Sequence, residues 1–498
     1  MNSHIAWGMV ASLFLTATAL AQPETPPEVP PPPAGDDLAA RVARLEEQSR
    51  QRDAELTQAL SRVEELESRE QSAAESESEA EAEAEAPAPT LRPLASLVTR
   101  FEHREGYDRI GVVFPGACIT TVTDGDCIRY RARAGFVIEP LQITPDVRAS
   151  VRFLPQVAGY WALPTIALTP GGPTVPSSSG GTFDPTLGLH EGYLSLQIGQ
   201  PVRIDIGRFE MVYGEHLTIG NLDWHPNGRA FDGARMRIQP DQNGLWVDAF
   251  WTMLSEGGLP AFGQNDNYFY GVYAGLGPAI AQGLNLDAYA LVQQSNDAID
   301  PVSSNITDFT LRVTLGGRFR HRIEMIDLRA ESALQVGTAG AVRPAPRQTI
   351  LAGHFDAEVG VNLLEDRLRL ALEGLFASGN GASADVNETY NQLYPTAHAF
   401  LGLSDVMGAR SNVTGGVFHA TVKPVPQLAI NFDLHVFLRP EAPADNYAGT
   451  EGNLNLVWTP GAGFRTRAMY ALFIPNAGFF PTGETVHYLE VEVGYVLN

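Results

Sequence analysis

Lysine is almost missing from this chain: Lys423 is the only one in 498 residues, and it precedes Pro424 outside any glycine-rich loop. That excludes a phosphate-cradling nucleotide loop, which needs its lysine at the end of a glycine-rich turn. Cysteine is nearly as scarce, and Cys118 and Cys127 alone are too few ligands for a metal site. No apolar run beyond the N-terminus is long enough for a helical membrane span. Basic groups are outnumbered, 34 Lys and Arg against 58 Asp and Glu, for a net charge of −24. Such a surface does not suit nucleic acid, which calls for a basic footprint. Gly-x-Ser-x-Gly, His-Glu-x-x-His and a convincing acid/base pair are also absent. The chain therefore reads as a non-enzyme with no cofactor.

What is present falls into segments. Residues 1–21 have an apolar core, Ala6 to Leu20, and a small-x-small site at Ala19-Leu20-Ala21, which predicts a signal peptide. Its positive n-region is thin, with His4 as the sole candidate, and no cysteine follows for a lipid anchor. Residues 22–35 are a Pro-rich linker. Over residues 36–70 the apolar positions Leu38, Val42, Leu45, Leu56, Ala59, Val63 and Leu66 recur at spacings of three and four within each half, with Ser49 and Arg52 at the seam. That pattern predicts a short coiled coil with a polar middle, the alternative being a single solvated helix. Residues 71–95 form an acidic Ala/Glu/Pro spacer without a fold of its own. Residues 1–90 hold 18 acids and 6 arginines, and residues 91–498 hold 40 acids, 27 arginines and the lysine.

From about residue 96 to 498 the period changes to two. In the last stretch Leu489, Val491, Val493, Tyr495 and Leu497 alternate with Glu490, Glu492 and Gly494, so one row meets lipid and the other a wet interior. About eighteen such strands are legible, among them 147–154, 245–254, 284–293, 311–320, 367–376, 428–438 and 464–473, punctuated by Gly, Pro, Asn and Asp. The expected fold is all-β, a transmembrane antiparallel β-barrel of about 18 strands preceded by a short helical coiled coil. Longer loops are expected at 155–187, 380–411 and 439–451. A soluble β-sandwich would not explain the aromatic rows Tyr268, Phe269, Tyr270, Tyr273 and Phe473, Phe479, Phe480, which suit interface girdles. Expected partners are thus outer-membrane lipid and a solute, with the coiled coil in the periplasm. Cys118 and Cys127 bracket eight residues and suit a disulfide across a hairpin loop in an oxidising envelope, two free thiols being the alternative.

Arginine recurs at i and i+2: Arg129/Arg131/Arg133, Arg235/Arg237, Arg318/Arg320/Arg322, Arg367/Arg369 and Arg465/Arg467, with Arg148/Arg152 at i+4. Each set lies on a single strand face. A cation facing lipid at mid-bilayer costs roughly 2–4 kcal/mol, so these faces should turn to the lumen or lie near a rim. There they would offer forked donors to a carboxylate or phosphate. The competing role is structural, an Arg–acid ladder neutralised by residues such as Asp205, Asp248, Glu331, Glu358, Glu373, Glu490 and Glu492.

The segment 207–237 is the most distinctive: Gly207-Arg208, Tyr213-Gly214, Gly220-Asn221-Leu222-Asp223-Trp224, then Arg229-Ala230-Phe231-Asp232-Gly233-Ala234-Arg235. Downstream come Ala377-Ser378-Gly379-Asn380, Tyr394-Pro395-Thr396-Ala397-His398, Gly402-Leu403-Ser404-Asp405, Lys423-Pro424 and Phe432 to Phe437. In this order the motifs resemble the alginate export family of outer-membrane porins. The resemblance implies an eighteen-stranded monomeric barrel whose electropositive, Arg-lined pore passes an acidic polysaccharide. It carries the pathway role to Arg208, Arg229, Arg235, Asp223 and Asp232, with Trp224 beside them. Two features depart from that pattern. The coiled coil and spacer are similar instead to porins of the phosphate-selective type, which are trimers, and the chain ends on Asn498 rather than an aromatic. The expected function is a passive channel for anionic solutes, with alginate-like polysaccharide foremost. The alternatives are a homotrimeric small-anion porin held by the coiled coil, and a structural envelope tether.

Overall fold

The computed structural model describes residues 88–112, 124–161, 186–240, 244–255, 265–276, 280–299, 305–381, 383–396, 398, 400–442 and 445–497. The expected signal peptide, linker, coiled coil and most of the expected acidic spacer lie outside them, as does Cys118, while Cys127 is disulfide-bonded.

Eighteen strands form the wall. In chain order they are β1 (Thr90–Glu105), β2 (Gly125–Thr144), β3 (Val147–Tyr160), β4 (Thr186–Ile198), β5 (Val202–Phe209), β6 (Phe231–Ile238), β7 (Leu245–Ser255), β8 (Asn267–Leu276) and β9 (Leu284–Ser295). They continue with β10 (Thr310–Ile323), β11 (Ile326–Ala339), β12 (Gln348–Leu363), β13 (Leu368–Ala377), β14 (Val413–Val425), β15 (Leu428–Leu438), β16 (Tyr447–Gly461), β17 (Phe464–Pro475) and β18 (Val486–Leu497). Each pairs antiparallel with its chain neighbour, and β1 closes on β18 through Ala95↔Leu497 to Glu105↔His487. Closure leaves no wall strand with a bare edge, the condition for a sheet in lipid.

Connections alternate in length. At one end, two residues suffice at 145–146, 324–325, 426–427 and 462–463, and both chain ends of the barrel lie there. At the other end the chain makes excursions at 106–124, 210–230, 378–412 and 476–485. The sequence placed the loops within a few residues, but β3 runs on through Pro155 to Tyr160, and β16 already starts at Tyr447. β1 likewise starts at Thr90, inside the expected spacer. Pro93 is tolerated there because residues 90–94 pair only with β2, and pairing with β18 begins at Ala95.

The period of two sorts the side chains. Leu97, Ile206, Leu315, Phe355, Leu372 and Val493 face outward and are exposed, whereas Arg100, Glu102, Asp205, Asp248, Glu331, Asp356 and Glu490 face inward and are buried. A wall apolar outside and polar inside is the reverse of a soluble barrel and suits a bilayer. Trp251 and Tyr270 face each other on the outer row toward the loop end, and Phe464 and Tyr495 pair outside toward the short-turn end, as girdles require. Phe269, Tyr273 and Phe473 correct the sequence expectation: each sits on the inward row and is almost wholly buried. Alternation alone separates them from Tyr268 and Tyr270.

Candidate functional site

The loop-end half of the lumen is occupied by chain. Loops 210–230 and 378–412 turn inward and join each other: Ile219 bridges Tyr394, the Gly220 amide donates to Tyr394 O (2.8 Å), and the Tyr394 amide donates to Thr218 O (3.0 Å). The turn into the barrel is possible where Gly207 and Gly233 face each other across β5 and β6. Gly207 has φ of 130°, and a Cβ on Gly233 would lie 2.0 Å from Trp251 O, so neither position accepts a side chain. Apolar residues on the loops seal them to the wall. Tyr213 stacks on Tyr273 (4.3 Å between ring centres), Tyr273 on Tyr289 (5.3 Å), and Met211, Ile219, Tyr390, Leu401 and Met407 complete a buried core inside the barrel.

Arginines of the wall fasten the first loop. Arg131 pairs with Asp223 (2.9 Å) and donates to the carbonyls of Asp223 and His225, while Arg133 pairs with the same carboxylate (3.1 Å) and donates to Gln156. Arg100 donates to Trp224 O (2.8 Å), and the Trp224 ring stacks on His398 at 4.0 Å while its N–H donates to Glu490. Arg229 performs the corresponding task between the loops, donating to the carbonyls of Gly220, Tyr394 and Pro395. The second loop is held by Arg410 on Asp356 (2.7 Å), by Ser404 on Glu451, and by Arg439 on the carbonyls of Met407, Ser411 and Asn412.

His225 ties this anchoring to pH. Its Nδ1 accepts the Asn227 amide (3.2 Å), so the ring is neutral in the docked loop. Burial, then the nearby Arg129, Arg229 and Arg100, push its pKa down to about 4. A histidine whose folded pKa lies below its unfolded value of about 6.5 contributes stability above that value and loses it as pH falls toward the folded one. Loop 210–230 should therefore loosen between about pH 6.5 and 4, seen as more frequent current fluctuations of single channels. His225→Asn, which keeps an acceptor but cannot titrate, should flatten that dependence.

The arginines singled out from the sequence are mostly paired. Arg129 meets Glu102 (3.2 Å), Arg152 meets Glu191 (2.6 Å), Arg235 meets Asp205 (2.7 Å), Arg237 grips Asp248 with two nitrogens (both 2.7 Å), Arg369 meets Asp327 and Glu358, and Arg467 meets Glu490 (2.5 Å). Arg148, Arg367 and Arg465 have no acidic partner among the described residues, and all three lie at the short-turn end. Arg208 and Asp232 do not face the lumen. They pair with each other (2.5 Å) on the outer face, where Arg208 continues the row of Ile204 and Ile206, and Asp232 that of Met236. A charge can stand there because each neutralises the other at the loop-side end of its strand.

Charges missed by a search for arginine repeats alone complete the wall. Arg100-x-Glu102-x-Arg104 alternates signs along β1, so Glu102 serves Arg104 (2.5 Å) and Arg129 (3.2 Å), and Arg100 also serves Glu492 (2.6 Å). The signal was the same i, i+2 spacing with the acid included. Across β11 to β15 acids predominate: Arg329 is shared by Asp356, Glu358 and Glu373, and His419 by Glu373 and Asp433. Glu358, Glu373 and His419 bring ligand-type atoms within 4.8 Å. Arg329 and Arg369 already occupy those carboxylates, which reads as an ion-pair lattice more than a metal cage.

Comparison with known proteins agrees with this architecture. The family model described as "Alginate export" matches residues 188–466. No curated protein sequence matches. Among solved structures, the chain is similar to OpdK of Pseudomonas aeruginosa with vanillate (TM-score 0.55, 12% identity, 82% of this chain and 98% of that one). It is also similar to OccK11 (OpdR) of that organism (TM-score 0.53, 10% identity, 82% and 96%) and to its OccK2 (OpdF) in complex with glucuronate (TM-score 0.51, 12% identity, 82% and 98%). At such identities the likeness is one of fold.

Proposed function

Since the chain belongs to the alginate export family, we propose that this porin-type barrel is a passive outer-membrane channel for anionic solutes, and that acidic, alginate-like polysaccharide is its solute. The observation that carries the reading is the distribution of unpaired cations. Arg148, Arg367 and Arg465 lie around the short-turn mouth, which is periplasmic in outer-membrane barrels, and none of the three has an acidic partner among the described residues. Unpaired guanidinium groups in a mouth raise the local concentration of anions without holding any one of them tightly, which is what conduction needs. Vanillate and glucuronate, bound in two of the similar barrels, are carboxylates, the class such groups recognise. Nothing in the sequence offers a nucleotide site, so movement would follow the gradient.

The zero-current potential of the purified protein in planar bilayers under a KCl gradient tests this reading. Anion selectivity is the expected result. Cation selectivity would mean that the acidic wall governs the path, and the proposal would fall.

A further inference from the structure

The short-turn mouth holds a second layer of order, and it deepens the reading just given, on which it rests. Strand register places Gln142 of β2, Arg148 of β3, Gln197 of β4, Arg203 of β5 and Arg237 of β6 in one cross-strand row, each directly opposite the next. All are one to three residues from a short turn. Behind this row lies a recess of about 350 Å³, also lined by Arg92, Arg152, Tyr193 and Ser195.

Charge does not close within it. Asp205 is shared between Arg203 (2.8 Å) and Arg235 (2.7 Å), Asp248 serves Arg237, Glu191 serves Arg152, and Glu139 serves Arg92 (3.4 Å). Six arginines thus face four carboxylates, and Arg148 has none. Arg203 and Arg237 stand directly opposite each other, a like-charge juxtaposition that Asp205 and Asp248 offset without leaving charge to spare for Arg148. Neighbouring strands are about 4.8 Å apart, so the cations from β3 to β6 extend over roughly 14 Å of the rim. That exceeds what one phosphate or one monosaccharide can bridge. Between the guanidinium groups stand the Ser150 and Ser195 hydroxyls and the two glutamines, whose NH2 groups donate to carbonyls of their own turns and leave the amide oxygens as acceptors.

We infer that this row is a docking strip for several successive carboxylates of a linear acidic oligosaccharide arriving from the short-turn side, with the hydroxyl and amide groups meeting the sugar hydroxyls.

The test uses the full chain in planar bilayers of known orientation, with a hexameric oligo-uronate, the monomeric uronate or inorganic phosphate added to one side at a time. The hexamer should block at lower concentration from the short-turn side than from the loop side. R148A/R203A should raise its half-blocking concentration about tenfold, equivalent to about 1.4 kcal/mol, and R148K/R203K should restore part of the loss. Equal block from both sides, or unchanged block in R148A/R203A, would overturn the inference. So would phosphate or the monomer blocking as well as the hexamer with the same sensitivity to R148A/R203A, since the row would then read single anions. A channel that is anion-selective yet fails these tests loses only the docking strip. A cation-selective channel loses the proposed function as well.

Discussion

Replacing Arg229 with alanine should part the two infolded loops and raise single-channel conductance. One guanidinium donates to three carbonyls, Gly220 O (3.1 Å), Pro395 O (2.9 Å) and Tyr394 O, and so belongs to both loops. No acid pairs with it among the described residues, and burial lowers its pKa to about 10, so it is still cationic at neutral pH. Removing it leaves the Gly220 and Pro395 carbonyls short of a donor in a poorly hydrated interior, while Tyr394 O keeps only the Gly220 amide. Hydrogen bonds to a charged group contribute about 1.5–3 kcal/mol each and do not add fully, so the loop junction should lose about 3–5 kcal/mol. Conductance recordings, with limited proteolysis of residues 210–230 beside them, read the outcome. Arg229→Lys should recover part of the loss, because all three contacts come from one guanidinium nitrogen, which an ammonium with its three donors can stand in for. Unchanged conductance with unchanged proteolysis would show that the junction is held by its apolar core alone.

The second large effect is expected at Glu102, whose carboxylate is fully buried beside Arg104 (2.5 Å), Arg129 (3.2 Å) and Arg100 (3.7 Å). Breaking a buried ion pair by removing one partner costs about 3–5 kcal/mol, because the other charge stays behind without compensation. Glu102→Gln strands part of three guanidinium charges at once, so the loss should reach the upper end of that range. Guanidinium unfolding in phospholipid vesicles would measure it, and E102Q/R129Q should recover part of the loss. A single variant as stable as the parent would indicate that water fills the network.

The fold was legible because lipid enforces it. A wall with one face in hydrocarbon must alternate, and 428–438 was read from the sequence to the residue, while 245–254 and 464–473 missed by only one or two residues at the C-terminal end. The site was less so. Arg131 and Arg133 were rightly grouped on one face, but their partner Asp223 lies about ninety residues on, and no local pattern reports a contact between a strand and a distant loop. Arg208 is a different lesson. Val202, Ile204, Ile206 and Arg208 form one outward row, so alternation opposed the lumen role that the motif resemblance suggested. The inward turn of 210–230 could not be foreseen either, since it depends on Arg229, Tyr394 and the tyrosine stack meeting across the barrel.

The lumen is expected to favour polymers carrying carboxylates. The most direct measurement is release from liposomes of two fluorescent oligosaccharides of equal length, one a uronate and one neutral, through the reconstituted barrel. The uronate should be released faster, with the advantage shrinking as salt screens the arginines. Equal release, or faster release of the neutral sugar at low salt, would contradict it.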